Sequence, residues 1–164
     1  MKTLTILLLA TLLNTHGIEK IIFGGHKLTM QEAERILGES CQLKESNNST
    51  TNGGHKYKST HIANSSDEKS DKRIALYFSF ESYKGEHEAK EIFNRFIESN
   101  KTLVGFEMLN DLGDESFFHT DSENFCLIVV RKQNEMIVLK VNKISPNTSL
   151  FELKKIAKDI IQRV

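Results

Sequence analysis

The pattern of apolar and polar residues predicts β-structure most clearly in two parts of the chain. Residues 74–81 alternate in a way that is typical of a strand with one buried face, and that face would carry Ile74, Leu76, Phe78 and Phe80. Residues 125–131 and 136–141 are almost continuously apolar and rich in β-branched side chains, which predicts strands covered on both sides. Residues 132–135 between them predict a hairpin turn, so we place this hairpin in the middle of a sheet.

Three other segments repeat their apolar residues at helical spacing. Residues 30–37 follow Thr29, which has capping-box spacing to Glu32, and they end before Gly38, a common helix terminator. Residues 150–164 follow Ser149, which has the same spacing to Glu152. Residues 86–99 gather their apolar side chains on one stripe, formed by Ala89, Ile92, Phe93, Phe96 and Ile97.

Weaker signals complete the fold prediction. Residues 57–63, 103–109 and 116–119 read as strands, whereas residues 44–54 and 64–72 are polar and read as loops, the first with a hairpin signal at Asn52-Gly53. Strands grouped between helices indicate an α+β fold with a mainly antiparallel sheet flanked by helices. A chain of 164 residues has the length of one domain, which we assign to residues 18–164.

The first 17 residues have the pattern of a secretory signal peptide. Lys2 supplies a positive charge, residues 4–13 form an apolar run, and Thr15 and Gly17 are small residues before a cleavage point. The run is too short to span a bilayer as a helix, so we expect no transmembrane segment after its removal. We therefore expect an exported protein, periplasmic or secreted.

Export gives meaning to the two cysteines, Cys41 and Cys126. In an oxidising compartment a bridge between them would stabilise the fold by roughly 4–5 kcal/mol on the chain-entropy model. The alternative is that they are two small buried residues that never meet. The sequence leaves both readings open.

Composition and motifs limit the functional classes. Lys+Arg and Asp+Glu are equal at 22 each, so no net charge favours nucleic acid as a partner. The chain has no nucleophile elbow, no phosphate-binding glycine loop and no dinucleotide fingerprint, so we assign no catalytic residue and expect no cofactor. We assign no metal site either, although a zinc-type hydrolase using His55, His61 and His119 remains an alternative.

An acidic turn followed by aromatic residues is the strongest candidate for a binding surface. Asp111, Asp114 and Glu115 surround Gly113, which is typical of a tight turn that needs a positive φ. Aromatic and acidic residues adjoin there, so we assign binding of an unknown protein or small ligand to Asp111, Asp114, Glu115, Phe117, Phe118 and His119.

Several short motifs resemble a group of exported bacterial proteins related in fold to the PsbP proteins of photosystem II. The resemblance rests on residues 28–38, on Leu112-Gly113-Asp114-Glu115-Ser116-Phe117, on the hairpin at residues 131–134 and on the helix with Leu153, Ile156 and Ala157. It implies an antiparallel sheet between helices that is used for binding or assembly, without a common catalytic centre. This chain lacks the lipoprotein cysteine of many such proteins.

These observations favour a non-enzymatic binding or accessory module, although they do not establish whether the protein is an enzyme. Besides the metal-dependent hydrolase, one further alternative is a carrier for a small apolar ligand. Its ligand would lie between the sheet and the helix predicted at residues 86–99.

The signal peptide can be tested directly. Expressed in an exporting host, the full chain should yield a mature protein whose mass corresponds to a start at Ile18, because cleavage follows the small residues Thr15 and Gly17. Leu8→Arg places a charge in the apolar run and should keep the precursor in the cytoplasm. A cytoplasmic protein that retains Met1 would contradict the assignment.

Overall fold

The computed structural model describes residues 27–51, 54–65 and 73–163. Three helices and seven strands account for most of them. In chain order they are α1 (Met30–Leu37), β1 (Cys41–Thr51), β2 (Gly54–Ala63), β3 (Ala75–Ser82), α2 (Glu86–Asn100), β4 (Phe106–Leu109), β5 (Glu115–Thr120), β6 (Cys126–Lys132), β7 (Glu135–Val141) and α3 (Leu150–Gln162).

All seven strands belong to one antiparallel sheet with the order β1-β2-β3-β7-β6-β5-β4. The β6–β7 hairpin occupies the interior of the sheet, as its apolar sequence predicts, and β3 pairs with β7 although α2 and three strands separate them along the chain. The α+β class with a mainly antiparallel sheet is confirmed.

Helices cover the two faces of the sheet unequally. On one face, α1 packs on β1 and β2, α3 packs on β6 and β7, and the two helices contact each other. On the other face, α2 packs on β6 and β7. The larger core lies under α1 and α3 and includes Leu76, Phe78, Ile128, Leu139 and Ile156, and the smaller core lies under α2. Each fully buried side chain of this size stabilises the fold by about 1.5–3 kcal/mol.

The capping signals predicted for α1 are present. The Thr29 side chain accepts a hydrogen bond from the Glu32 backbone N–H, and the Glu32 carboxylate accepts one from the Thr29 N–H. The same carboxylate contacts Arg163 beyond α3, with Oε1 2.6 Å from Nη2. Burial raises the pKa of Glu32, but these hydrogen bonds and the Arg163 charge outweigh it and leave that pKa below its ordinary value. Glu32 therefore joins the two helices on this face as an anion.

The prediction of a loop at residues 44–54 was wrong for most of its length, because β1 runs from Cys41 to Thr51. β1 is the edge strand and is mostly exposed, so its sequence of Ser, Asn and Thr residues does not alternate between apolar and polar side chains. Pairing with β2 stabilises it, in a ladder that ends with Thr51 opposite Gly54. The hairpin signal is thus confirmed by the pairing, while Asn52 and Gly53 themselves lie outside the described residues.

Strand β4 is shorter than the predicted strand at residues 103–109. Residues 101–105 form turns instead, and Gly105 adopts a φ of 83°. Its carbonyl accepts a hydrogen bond from the Thr120 N–H, so the ladder with β5 begins only there.

The two cysteines are buried and are not bonded to each other. Four strand-to-strand steps separate β1 from β6, which is roughly 19 Å at about 4.8 Å per step and far beyond the reach of a disulfide. The Cys41 thiol instead contacts Met30, with the two sulfur atoms 3.4 Å apart. Burial raises the pKa of both thiols to about 11, so both are protonated at neutral pH.

Some predictions fall outside the described residues: the signal peptide at residues 1–17, most of the predicted loop at residues 64–72, and Val164. Within the described ranges, none of the helices has the length and apolar character needed to cross a membrane.

His61 generates a prediction about pH dependence. It is buried on the face of the sheet that carries the larger core, its Nε2 lies 3.3 Å from the Ser59 Oγ, and its Nδ1 has no hydrogen-bond partner in the described part of the chain. Burial lowers its pKa below 6.5. Below that pH the unfolded chain binds a proton that the folded chain does not, so stability should fall as the pH falls.

The measurement is urea unfolding at pH 7.5 and pH 5.5. The wild type should lose more stability than His61→Leu between these pH values, because only the wild type has the buried imidazole whose pKa is lowered. One proton limits this difference to about 1.4 kcal/mol per pH unit. His87→Gln removes a highly exposed histidine from α2 and should keep the wild-type loss. Equal losses in the wild type and His61→Leu would contradict the assignment.

Candidate functional site

The acidic turn predicted as a binding site is built into the backbone of the neighbouring hairpin. Gly113 has a φ of 67°, as the sequence predicts, and a Cβ at this position would collide with the carbonyl oxygen of Arg131. The Asp114 N–H donates to that same carbonyl at 2.8 Å. The Asp114 carboxylate accepts a hydrogen bond from the Gln133 N–H at 2.6 Å. These two hydrogen bonds fix the acidic turn against the β6–β7 hairpin.

Arg131 is the charged centre of this arrangement, and its side chain is only 4% exposed. Its Nε lies 2.7 Å from Glu115 Oε2, and its Nη1 lies 3.1 Å from Asp114 Oδ2 and 3.6 Å from Glu86 Oε1. Nη1 also donates to the Gln133 carbonyl at 2.8 Å. A buried guanidinium requires such partners, so Asp114 and Glu115 have a structural role that accounts for both residues.

Phe117 and Phe118 lie on opposite faces of the sheet because neighbouring side chains of a strand alternate. Phe117 packs under α2 against Phe93, with the ring centroids 5.8 Å apart. Phe118 belongs to the core under α1 and α3, and the Lys154 ammonium group lies 4.5 Å from its ring centroid. Both rings are buried.

His119 is also buried and joins β5 to the end of α2. Its Nδ1 lies 3.0 Å from the Asn100 Oδ1, and its ring meets the edge of Phe125 with the centroids 4.9 Å apart. Asn100 in turn donates to the Phe96 carbonyl at 2.7 Å, which fixes the last turn of α2. His119 is therefore a buried side chain that helps to fix the position of the last turn of α2.

The six residues predicted to bind do not form one accessible surface. Asp111 is exposed, with a φ of 64°, and Asp114 and Glu115 bind Arg131. The other three predicted residues, Phe117, Phe118 and His119, are buried in β5, and their side chains point alternately to the two faces of the sheet. Phe118 is part of the larger core, so substituting it would disturb that core. A binding role for these residues stays a prediction.

The histidines of the hydrolase alternative are also dispersed. His55 and His61 lie on the same face of β2, because the strand is regular and they are six residues apart. His119 lies on the other face of the sheet, and β5 is four strand steps from β2. Among residues 27–51, 54–65 and 73–163, no three His, Cys, Asp or Glu side chains are grouped in a way that could hold a metal ion.

A second candidate site lies on the half of the sheet that no described helix covers. On the face that holds α2, this helix covers β6 and β7, and no other helix among the described residues covers β1, β2 and β3. A hollow of about 520 Å³ lies there. Its lining is polar with one aromatic ring and includes Glu45, Asn47, Lys58, Thr60, Tyr77 and Ser79.

A second hollow of about 430 Å³ continues the first under the side of α2. The two share Lys58, Ser79 and Val138, so together they form one groove that we call the α2 groove. The wall of the second hollow is largely apolar and comprises Ile92, Phe96, Met136 and Val138. Both volumes lie within the usual range of ligand pockets, about 300–1,000 Å³.

Two of the four charged side chains that line the α2 groove form an ion pair with each other. The Glu81 carboxylate lies 2.7 Å from the Lys56 ammonium group, and it also interacts with the Tyr83 hydroxyl, whose pKa is raised by burial and by this carboxylate. Glu45 accepts a hydrogen bond from the Thr60 hydroxyl at 3.1 Å. Lys58 is exposed and has no carboxylate within 4 Å among the described residues. Lys58 and Glu45 are therefore the charged groups of the groove without an ion pair among the described residues, and Lys58 lies where the two hollows meet.

The sequence holds only part of this information. Alternation along β3 places Tyr77 and Ser79 opposite the buried Leu76 and Phe78, so an outward-facing polar row could be read directly. That α2 would pack beside this row and leave it open depends on the strand order. Among the sequence-based hypotheses, the small-ligand carrier came nearest to the location of the α2 groove, because its ligand was placed between the sheet and the helix at residues 86–99.

Comparisons of the chain with models of protein families, with curated proteins and with solved structures found no match. The resemblance to the PsbP-like group therefore stays a prediction, and the geometry of the described residues is the basis for a functional proposal.

The Arg131 cluster yields a prediction about stability. Arg131→Met should lower the free energy of unfolding by about 3 kcal/mol, the lower end of the range for breaking a buried ion pair, because Asp114 and Glu115 remain hydrated in part. The additional change Glu115→Gln should recover some of this loss by removing an unpaired carboxylate. Urea unfolding measures each variant.

Lys155→Met is the matched control, since it removes an exposed ion pair with Asp159 and should cost less than about 0.5 kcal/mol. A cost for Arg131→Met as small as that of the control would contradict a structural role for the cluster.

Proposed function

We propose that the protein is an exported, non-enzymatic binding module whose ligand lies in the α2 groove, and that the ligand is a small amphipathic anion. Export rests on the apolar run at residues 4–13 that follows Lys2. The ligand class rests on the one observation that carries the proposal: an apolar wall meets a lysine that has no ion pair among the described residues.

The apolar wall accounts for the hydrophobic part of the ligand. Ile92 and Phe96 are only partly buried although they belong to the apolar stripe of α2, and Val138 is partly buried on the sheet beside them. An aliphatic chain lying along these side chains would remove their remaining apolar surface from water, at about 25 cal/mol per Å².

Lys58 accounts for the charged end. Lys56 already binds Glu81 at 2.7 Å, so a ligand anion would have to compete with that carboxylate there. Among the residues that the structure describes, no carboxylate lies within 4 Å of the Lys58 ammonium group. Ser79 and Asn47 adjoin Lys58 along the same row of the sheet, because Asn47 pairs with Lys58 and Lys58 pairs with Ser79. Hydrogen bonds between a charged ligand group and these donors are stronger than neutral ones.

A polar platform completes the site. Tyr77 is 42% exposed and lies beside Thr60, its partner in β2. A flat or polar portion of the ligand could rest on this ring, as aromatic side chains with one polar end commonly allow. The same groove serves the leading expectation of a binding module and the alternative of a small-ligand carrier.

The test is calorimetric titration with dodecanoate below its micelle concentration. Dodecanoate should bind saturably, and dodecyltrimethylammonium, which has the same chain length and the opposite charge, should bind at least about 10-fold more weakly, equivalent to about 1.4 kcal/mol. Lys58→Glu should weaken dodecanoate binding by a similar factor, and Ile92→Gln several-fold, because it removes part of the apolar wall.

Lys90→Gln provides the matched control, because it removes an exposed lysine of α2 that does not line the groove. Circular dichroism checks that each variant is folded. The proposal is wrong if dodecanoate shows no saturable binding, if the cationic analogue binds equally well, or if Lys58→Glu and Lys90→Gln behave alike.

A further inference from the structure

The two edges of the sheet differ in how they are protected against pairing with another strand. Edge strand β1 has a bulge between Leu43 and Glu45, carries Lys44, and continues into polar Ser, Asn and Thr residues. Bulges, lysines and polar side chains are common devices that keep an edge from pairing. Edge strand β4 has no bulge, no lysine and no proline in its four residues.

Some backbone hydrogen-bonding groups of β4 face β5, and the others point away from the sheet. The Gly105 carbonyl accepts from the Thr120 N–H, and the Leu109 carbonyl accepts from the Ser116 hydroxyl, so the backbone groups of both residues face β5. Because these groups alternate along an antiparallel strand, those of Phe106 and Met108 face outward. The Phe106 N–H donates to the Leu103 carbonyl, so the Phe106 carbonyl and both Met108 groups are the ones left without a backbone partner in the described part of the chain.

Apolar side chains surround this open edge. Val104 is 92% exposed, Leu103 is 50% exposed and Met108 is 48% exposed, all within six residues of one another. Phe106 lies on the same face of β4 as Met108 and is only partly buried against α2. An unpaired backbone edge next to exposed apolar residues is a common site of strand addition.

We propose that a second copy of this chain pairs with β4 across a two-fold axis, extending the sheet through the β4 edges of both copies. An antiparallel edge can pair with itself, because the two-fold axis brings the same outward groups into register. The register that fits the outward groups places Phe106 opposite Met108 of the second copy, an apolar pair on the α2 face.

Charge favours a second copy over a charged partner. The protein has equal numbers of basic and acidic residues, so two copies do not repel each other at long range. On the other face of β4, Glu107 would lie opposite Glu107 of the second copy, but each is compensated by Lys154, whose Nζ is 3.3 Å from the Glu107 carboxylate.

The experiment is sedimentation velocity of the full chain from about 5 to 500 µM, a range suited to small, reversible interfaces. The average mass should rise with concentration towards that of a dimer. Met108→Lys places a charge at the edge and Val104→Asp places one in the exposed apolar patch, and each should weaken association at least 10-fold. Both positions are exposed, so circular dichroism should show folded variants.

Leu43→Lys is the matched control, because Leu43 is 45% exposed at the opposite edge and should not affect association. A monomer at every concentration would overturn the proposal. So would a dimer that Met108→Lys and Val104→Asp leave intact, or one that Leu43→Lys weakens to the same extent.

Discussion

The fold depends on the burial of the β6–β7 hairpin from both sides. One face of these strands packs under α3 and the other under α2, so side chains at successive positions enter two different cores. A shift of one residue in the register would exchange the two sets. The alternate burial of Ile128 and Val129, each fully buried but in separate cores, therefore fixes the pairing of the central strands and, through them, the position of every other strand.

Arg131 extends this constraint to the end of the hairpin. It lies on the face covered by α2, where a buried charge would be unfavourable without partners, and the acidic turn before β5 supplies Asp114 and Glu115. The turn is thus a tertiary contact formed across the sheet. Residues that look like a charged surface in the sequence stabilise one specific arrangement of β5, β6 and β7.

Unequal coverage of the sheet creates the surfaces that remain open. In the described part of the chain, two helices share one face, whereas α2 occupies part of the other face and leaves the α2 groove beside it. The strand order also places β4 at an edge next to exposed apolar residues. Both the proposed ligand site and the proposed self-association therefore follow from where the helices and strands end.

The sequence by itself determined the local structure. Capping residues predicted the starts of α1 and α3, the stripe of α2 and the alternation of β3 predicted their buried faces, and the apolar hairpin predicted the centre of the sheet, because these signals act within a few residues of the chain. Only the tertiary structure decided that the polar residues after Cys41 form an edge strand, that Cys41 and Cys126 lie four strands apart, and that Phe117 and Phe118 are buried under different helices. Those outcomes depend on strand order and on which half of each face a helix covers, and contacts between distant segments set both.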